Sequence, residues 1–290
     1  MIASRRQDGF VLVLILVMIA LCGVIMAASA RRSAHNAMQA SASMRELQFR
    51  WGAASCQGVL LGEAERMFDE ALKSGLPLCS EASGEVVLGN MTFSFTVSDE
   101  SAKANMNRLA QQYANNNVGL LAAIDKLQDG GGDLLPVELR ETRLAIESDM
   151  AGLPGRFASF DQVFATRNVT ELPSSMARRR ITCWGDGRIN IRRAELPVMA
   201  QVLAGYLSGT QLQAIDRLRR SKEAFSVIDA LAAVQLTTAQ REAIGKLVTD
   251  TSNCHGLWIS AEDGARTRRR LYVIQADQGP QLPQRWAFEW

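Results

Sequence analysis

"RRQDGFVLVLILVMIALCGVIMAASARR", from Arg5 to Arg32, decides how the rest of the chain is read. Residues 10–30 carry no charge and no proline. Wound as an α-helix at about 1.5 Å per residue they rise roughly 32 Å, enough to cross the hydrocarbon core of a bilayer. The apolar region of a cleaved export signal is shorter, about 7 to 15 residues, so the stretch predicts a permanent membrane helix. Ala28-Ser29-Ala30 is nonetheless an acceptable small-x-small cleavage site, and an exported soluble protein beginning at Arg31 stays open as an alternative. Arg5 and Arg6 before the run are matched by Arg31 and Arg32 after it, so charge counting does not orient the helix. Translocation of the larger part of the chain favours an N-terminus on the inner side.

Beyond Arg32 the helical pattern continues. Met38, Met44, Leu47, Trp51, Ala54, Leu60, Leu61, Ala64, Met67, Phe68, Ala71 and Leu72 recur mainly at spacings of three, four and seven. One helix over about 10–73 is expected, stopped by Gly75 and Pro77. "EVVLGNMTFSFTVSDES" then predicts two strands, 85–88 and 91–98, joined by a tight Gly89-Asn90 turn. From 105 to about 180 the chain is rich in helix formers and glycine-broken loops, and short strand character returns only at 180–182 and 188–191. Helices resume over 195–248, with Ser226 as an N-cap, and "CHGLWISAEDG" and "TRRRLYVIQADQGPQLPQRWAFEW" alternate as three antiparallel strands. The fold class expected is α+β, an antiparallel sheet carrying a large helical insertion. Two independent domains in series would not bring β-structure back at the end.

The net charge of the 290 residues is only +2, which excludes a global field directed at nucleic acid or acidic substrates. Of five cysteines Cys22 lies in the apolar run, leaving Cys56, Cys79, Cys183 and Cys254, which allow three pairings. Cys183 with Cys254 is the favoured disulfide, because each flanks a β-rich stretch, and buried reduced thiols are the alternative. The two histidines, His35 and His255, suggest neither a triad nor a zinc site. No P-loop, G-x-S-x-G or dinucleotide fingerprint occurs, so nothing points to catalysis. The loop "DGGGD" offers oxygen ligands that make Asp125, Asp129 and Asp133 candidates for calcium, although it departs from EF-hand spacing and a solvated turn competes. "ARTRRR" at 265–270 and "RRR" at 178–180 could meet phosphates, yet the helix pair over 226–248 lacks the glycine-rich turn that would bring amides to a phosphate.

A faint internal echo links "SDESAKANMNRLA" (98–110) to "WGDGRINIRRAEL" (184–196). Each runs acidic turn, basic residue, asparagine, then helix, and Asn105, Asn107 and Asn190 can each cap a helix or hold a turn.

Three features carry a family resemblance. Gly9 followed by Phe10, where a basic leader meets a long apolar helix, resembles the signal of type IV pilins and type II secretion pseudopilins. In that family a prepilin peptidase cuts after the glycine and the new N-terminal residue, here Phe10, is methylated. Leu14 stands where family members usually carry a glutamate. A carboxylate at the bilayer centre costs about 2.5 to 3.5 kcal/mol on insertion scales, and its absence is expected of a subunit with no neighbour above it. The asparagine elements and Leu14 together resemble the minor pseudopilin protein K of type II secretion, with Arg192 where a second asparagine is expected in "RINIRRA".

The resemblance covers nearly the whole chain. It implies a leader 1–9, a transmembrane part 10–30 and a helical stem 31–76. An α/β head from 77–104 and 181–290, including helices 195–248, would carry a helical insertion over 105–180, or to 248 in its wider form. It also implies a non-enzymatic protein anchored once in the inner membrane with its head in the periplasm. There it would work at the tip of the pseudopilus with minor pseudopilins I and J, and with H, requiring no cofactor beyond calcium in the insertion. A minor pilin of a type IV or DNA-uptake pilus is the alternative within the same family.

Overall fold

In the computed structural model the described residues are 5–73, 80–113, 116–128, 157, 159–160, 163, 176–221, 225–263, 266–275 and 284–289. The chain divides into two units, Met1–Gly52 and Ala53–Trp290.

The first unit is helical throughout its described residues. Helix α1 (Arg5–Leu60) begins here, and its apolar residues from Phe10 to Met26 are all exposed. The mean hydropathy reaches 3.2 over its most apolar window, and among the described residues it is the one helix long and apolar enough to cross a membrane.

The second unit opens with the end of α1. The single expected helix is in fact two, because a turn at Leu61–Glu63 separates α1 from α2 (Ala64–Lys73). The ladder survives partly, with Leu61 N–H donating to Gln57 C=O and Glu63 N–H to Val59 C=O. The interruption falls at Gly62, four residues after Gly58, where glycine adds about 1 kcal/mol of helix cost per residue relative to alanine.

Strands β1 (Glu81–Leu88) and β2 (Met91–Asp99) form the expected hairpin, in register Leu88 opposite Met91, around Gly89 at φ 65°. The C-terminal strands β7 (Cys254–Asp263), β8 (Arg266–Gln275) and β9 (Gln284–Glu289) complete an antiparallel sheet of order β1-β2-β7-β8-β9. Strands β2 and β7 are hydrogen-bonded neighbours, so everything between Asp99 and Cys254 is inserted between adjacent strands.

That inserted chain makes two excursions, each closed by a two-residue parallel bridge. Strand β3 (Ala104–Asn105) pairs with β4 (Ile181–Thr182), and β5 (Ile189–Asn190) pairs with β6 (Val248–Thr249). The first excursion carries α3 (Met106–Gln112), α4 (Asn117–Leu127) and α5 (Met176–Arg180). The expected helices at 135–153 and 157–166 lie largely outside the described residues. The second excursion carries α6 (Leu196–Val202), α7 (Gly209–Ser221), α8 (Val227–Ala232) and α9 (Thr238–Gly245). Ser226 caps α8 as expected, and Asp229 reciprocates in a capping box.

Strand alternation gives the sheet two different faces. One turns Trp258, Leu271 and Val273 into a core shared with Ile124, Ile181, Trp184 and Met199 of the excursions. The other carries Phe93, Val97, Leu257 and Ile259 in phase with His255, on which Phe68 of α2 stacks. The sheet thus lies between α2 and the helical excursions.

Candidate functional site: a buried polar junction

Where β2 ends, the chain must leave the sheet without stranding backbone groups. Asp99 manages that exit. It is fully buried, and its Oδ1 accepts a hydrogen bond from Ser101 N–H at 2.9 Å, capping a 3-10 turn at Glu100–Ala102. Its Oδ2 accepts from Asn190 Nδ2 at 3.0 Å and from Ser252 Oγ, and lies 3.5 Å from Arg193 Nη1. One carboxylate therefore joins the end of β2, the exit from β5 and the approach to β7. Burial, the largest influence, pushes the Asp99 carboxyl above its usual range, opposed by His255, Ser252 and Arg193.

Arg193 carries the junction outward to α2. Its two terminal nitrogens donate to the two oxygens of Glu65 at 2.9 and 2.8 Å, a planar fork meeting a carboxylate. The guanidinium also lies 4.7 Å over the Phe68 ring, and His255 Nε2 is 2.9 Å from Glu65 Oε1. Partial burial would raise the Glu65 pKa, but the hydrogen bonds and charges of His255 and Arg193 together outweigh it and lower it to about 2. Burial lowers the pKa of Arg193, yet Glu65, Asp99 and Asp69 more than compensate and raise it.

A second buried pair lies beside the first. Lys103 Nζ and Ser98 Oγ each donate to Glu100 Oε1 at 2.6 Å, with Lys103 and Glu100 both sealed from solvent. Only glycine fits at 256, since a Cβ there would lie 2.5 Å from Glu100 Oε1.

The asparagines stand at the excursion exits. Asn105 Oδ1 accepts from Arg108 N–H at the start of α3 while its Nδ2 donates to Trp184 C=O at 2.7 Å. Asn107 Nδ2 donates to Phe157 C=O and Cys183 C=O, and its Oδ1 accepts from Phe157 N–H. Asn190 Oδ1 accepts from Arg192 N–H at 3.0 Å. Arg192, where a second asparagine is expected, reaches only to 3.9 Å from Asp69. Each asparagine side chain replaces backbone partners that a two-residue bridge cannot supply.

The other candidate residues are not gathered here. Gly9, Phe10 and Leu14 lie on α1, with Phe10 71% and Leu14 51% exposed. Asp125 is on α4 and exposed, while Asp129 and Asp133 fall outside the described residues, and no acidic or histidine cluster able to hold a metal occurs among those described. The expected Cys183–Cys254 disulfide is not formed, because Cys254 is a free thiol. Burial, reinforced by Glu100 and Asp99, pushes that thiol well above its usual pKa, so it packs as a small hydrophobe. Glu65, Asp99 and Arg193 were not singled out from sequence. Asp99 is visible in the acidic turn of the echo, but nothing local distinguishes Glu65 from a solvated helix carboxylate.

Neither a scan of family models nor a search of curated proteins finds a match to this sequence. In three dimensions a solved chain answers. The fold matches a chain in the structure of the GspK-GspI-GspJ complex from the enterotoxigenic Escherichia coli type 2 secretion system. The superposition has a TM-score of 0.54 at 14% identity and covers 87% of this chain and 99% of the other. The α+β pseudopilin-like fold expected from sequence, with its long apolar helix, antiparallel sheet and further helices, is the fold found. At that identity the likeness is one of fold.

Proposed function

We propose that this chain is a minor pseudopilin of a type II secretion system, similar to protein K, which helps initiate the pseudopilus and caps its tip. The observation that carries the reading is the fold match over 87% of the chain to a secretion-complex subunit, at an identity too low for shared sequence bias to explain it. Leu14 and the two excursions agree with it. The first removes the carboxylate that a subunit above would meet, and the second adds bulk above the sheet that obstructs stacking. Partners I and J follow from the composition of the matched complex. The role is structural rather than enzymatic, with α1 holding the subunit in the inner membrane and the head in the periplasm. Prepilin processing between Gly9 and Phe10, with methylation of Phe10, is part of the proposal, as is calcium in the segment holding Asp129 and Asp133.

The tip role is tested by deleting residues 106–180 in the host and imaging pseudopili. Longer or fewer filaments are expected, and filaments of normal length and number would overturn capping. Intact mass of the membrane-purified protein tests processing: a start at N-methylated Phe10 is expected, whereas a start at Arg31 would make it a soluble exported protein. The uninterrupted helix through 28–30 favours the anchored form. The DNA-uptake reading loses its basic patch, because sheet alternation sends Arg268 and Arg270 to one face and Arg269 to the other.

A further inference from the structure

Strand β1 is one edge of the five-stranded sheet, and no strand is hydrogen-bonded to its outer side among the described residues. An edge strand presents a row of unpaired N–H and C=O groups, a template for another strand, and proteins usually blunt it with lysine, proline, a bulge or a very short strand. β1 has none of these. Its eight residues, EASGEVVL, pair one to one with β2 from Glu81 opposite Ser98 to Leu88 opposite Met91.

The side chains along this edge differ by face. Val86 and Leu88 stand on the face of Phe93 and Val97, so the apolar layer runs out to the edge only half covered, with Leu88 36% exposed. Phe95 adds to that layer. Its ring lies across Gly84, where a Cβ would come within 2.8 Å of Cζ, and the phenylalanine is itself only half-buried. On the other face Glu81 is paired with Arg178 and Arg179. Glu85 is exposed and holds only a 3.3 Å hydrogen bond from Ser94.

We infer that the outer edge of β1, over residues 83–88, accepts an extended segment of a different polypeptide as an added strand, apolar where it meets Val86 and Leu88 and basic where it meets Glu85. Main-chain hydrogen bonds would supply the affinity, and alternate side chains the selectivity. Glu85 decides the occupant. A second copy paired antiparallel over this stretch, apolar face aligned with apolar face, brings the two Glu85 carboxylates to opposite or diagonal positions, where like charges are destabilising. A lysine or arginine in the incoming strand makes the same position an opposite-charge pair. The inference does not depend on the tip role, since it rests on the edge itself.

The test uses the full chain in lipid nanodiscs and a fluorescein-labelled heptapeptide in which valine and threonine alternate around a central lysine, read by anisotropy against empty nanodiscs. Saturable binding is expected, about tenfold weaker when glutamate replaces the lysine. In E85K the order of the two peptides should reverse, an outcome that a folding defect cannot produce. Hydrogen exchange read by mass spectrometry should slow over 83–88 on binding and stay unchanged over 284–289, the opposite edge. No saturable binding, the same peptide order in E85K, or protection at 284–289 instead would overturn the inference. Self-association of the full chain that protects 83–88 without peptide would give the edge to a second copy and overturn it as well.

Discussion

The two excursions leave the sheet by the same device and secure it differently. At the first, Asn105 and Asn107 close the bridge with neutral hydrogen bonds to backbone atoms of Phe157, Cys183, Trp184 and Arg108. At the second, Asn190 works beside Asp99 and Arg193, and the closure runs on through Glu65 to α2. The first bridge itself is fastened by neutral bonds, while α5 beside it is held by ion pairs of Arg178 with Glu81 and Arg180 with Glu195. The second ties the helix, the sheet and the helical block into one electrostatic unit, so its strength depends on ionisation.

The largest break in the comparison is D99A. It leaves Arg193, Asn190 and Ser252 without their shared acceptor inside the protein, and should cost about 3 kcal/mol in denaturant unfolding of the full chain. N105A comes next at about 2 kcal/mol, a lost helix cap plus a buried amide bond. Unlike D99A, it should leave the pH dependence of unfolding unchanged. A double-mutant cycle of E65Q and R193Q should give a coupling of about 1 kcal/mol or less, because Glu65 is half-exposed and solvent screens the pair.

The subtlest difference lies in acid. Glu65 has its pKa lowered from 4.5 to about 2, so its stabilising contribution is complete above about pH 4.5 and disappears as the pH falls toward 2. Asp99 has the opposite sign, since its raised pKa makes protonation a relief rather than a loss. E65Q should therefore flatten the acid limb of the stability curve, and the same limb in N105A should match the wild type. An unchanged limb in E65Q would mean that the second bridge is no more charge-dependent than the first.

Much of this architecture could be read in the sequence. Gly89-Asn90 between alternating apolar residues dictated the hairpin, and the alternation after Cys254 gave the closing strands. Ser226 marked a helix start. The break at Gly62 was hidden because apolar spacing stays helical across it. The parallel bridges were only dimly visible, since two residues carry no period and appear as strands only once their partners are known. The junction was least legible. Glu65 meets Arg193 and His255 across 128 and 190 residues of chain, and local pattern carries no information about such pairings. The disulfide expectation failed for a related reason: flanking a strand does not place two thiols in bonding geometry.

The two-residue bridges also bear on how such a chain evolves. Because each excursion leaves and returns at adjacent points, the strands beneath it can stay paired whatever the length of chain spliced between them, provided the residues that seal the sheet face are kept. Extending a loop whose ends are already held together adds only about 0.6 kcal/mol of closure entropy per doubling of length. The size of the helical block can therefore drift or be selected while β2 and β7 stay paired, and the breadth of the head becomes a property a lineage can tune without refolding its sheet.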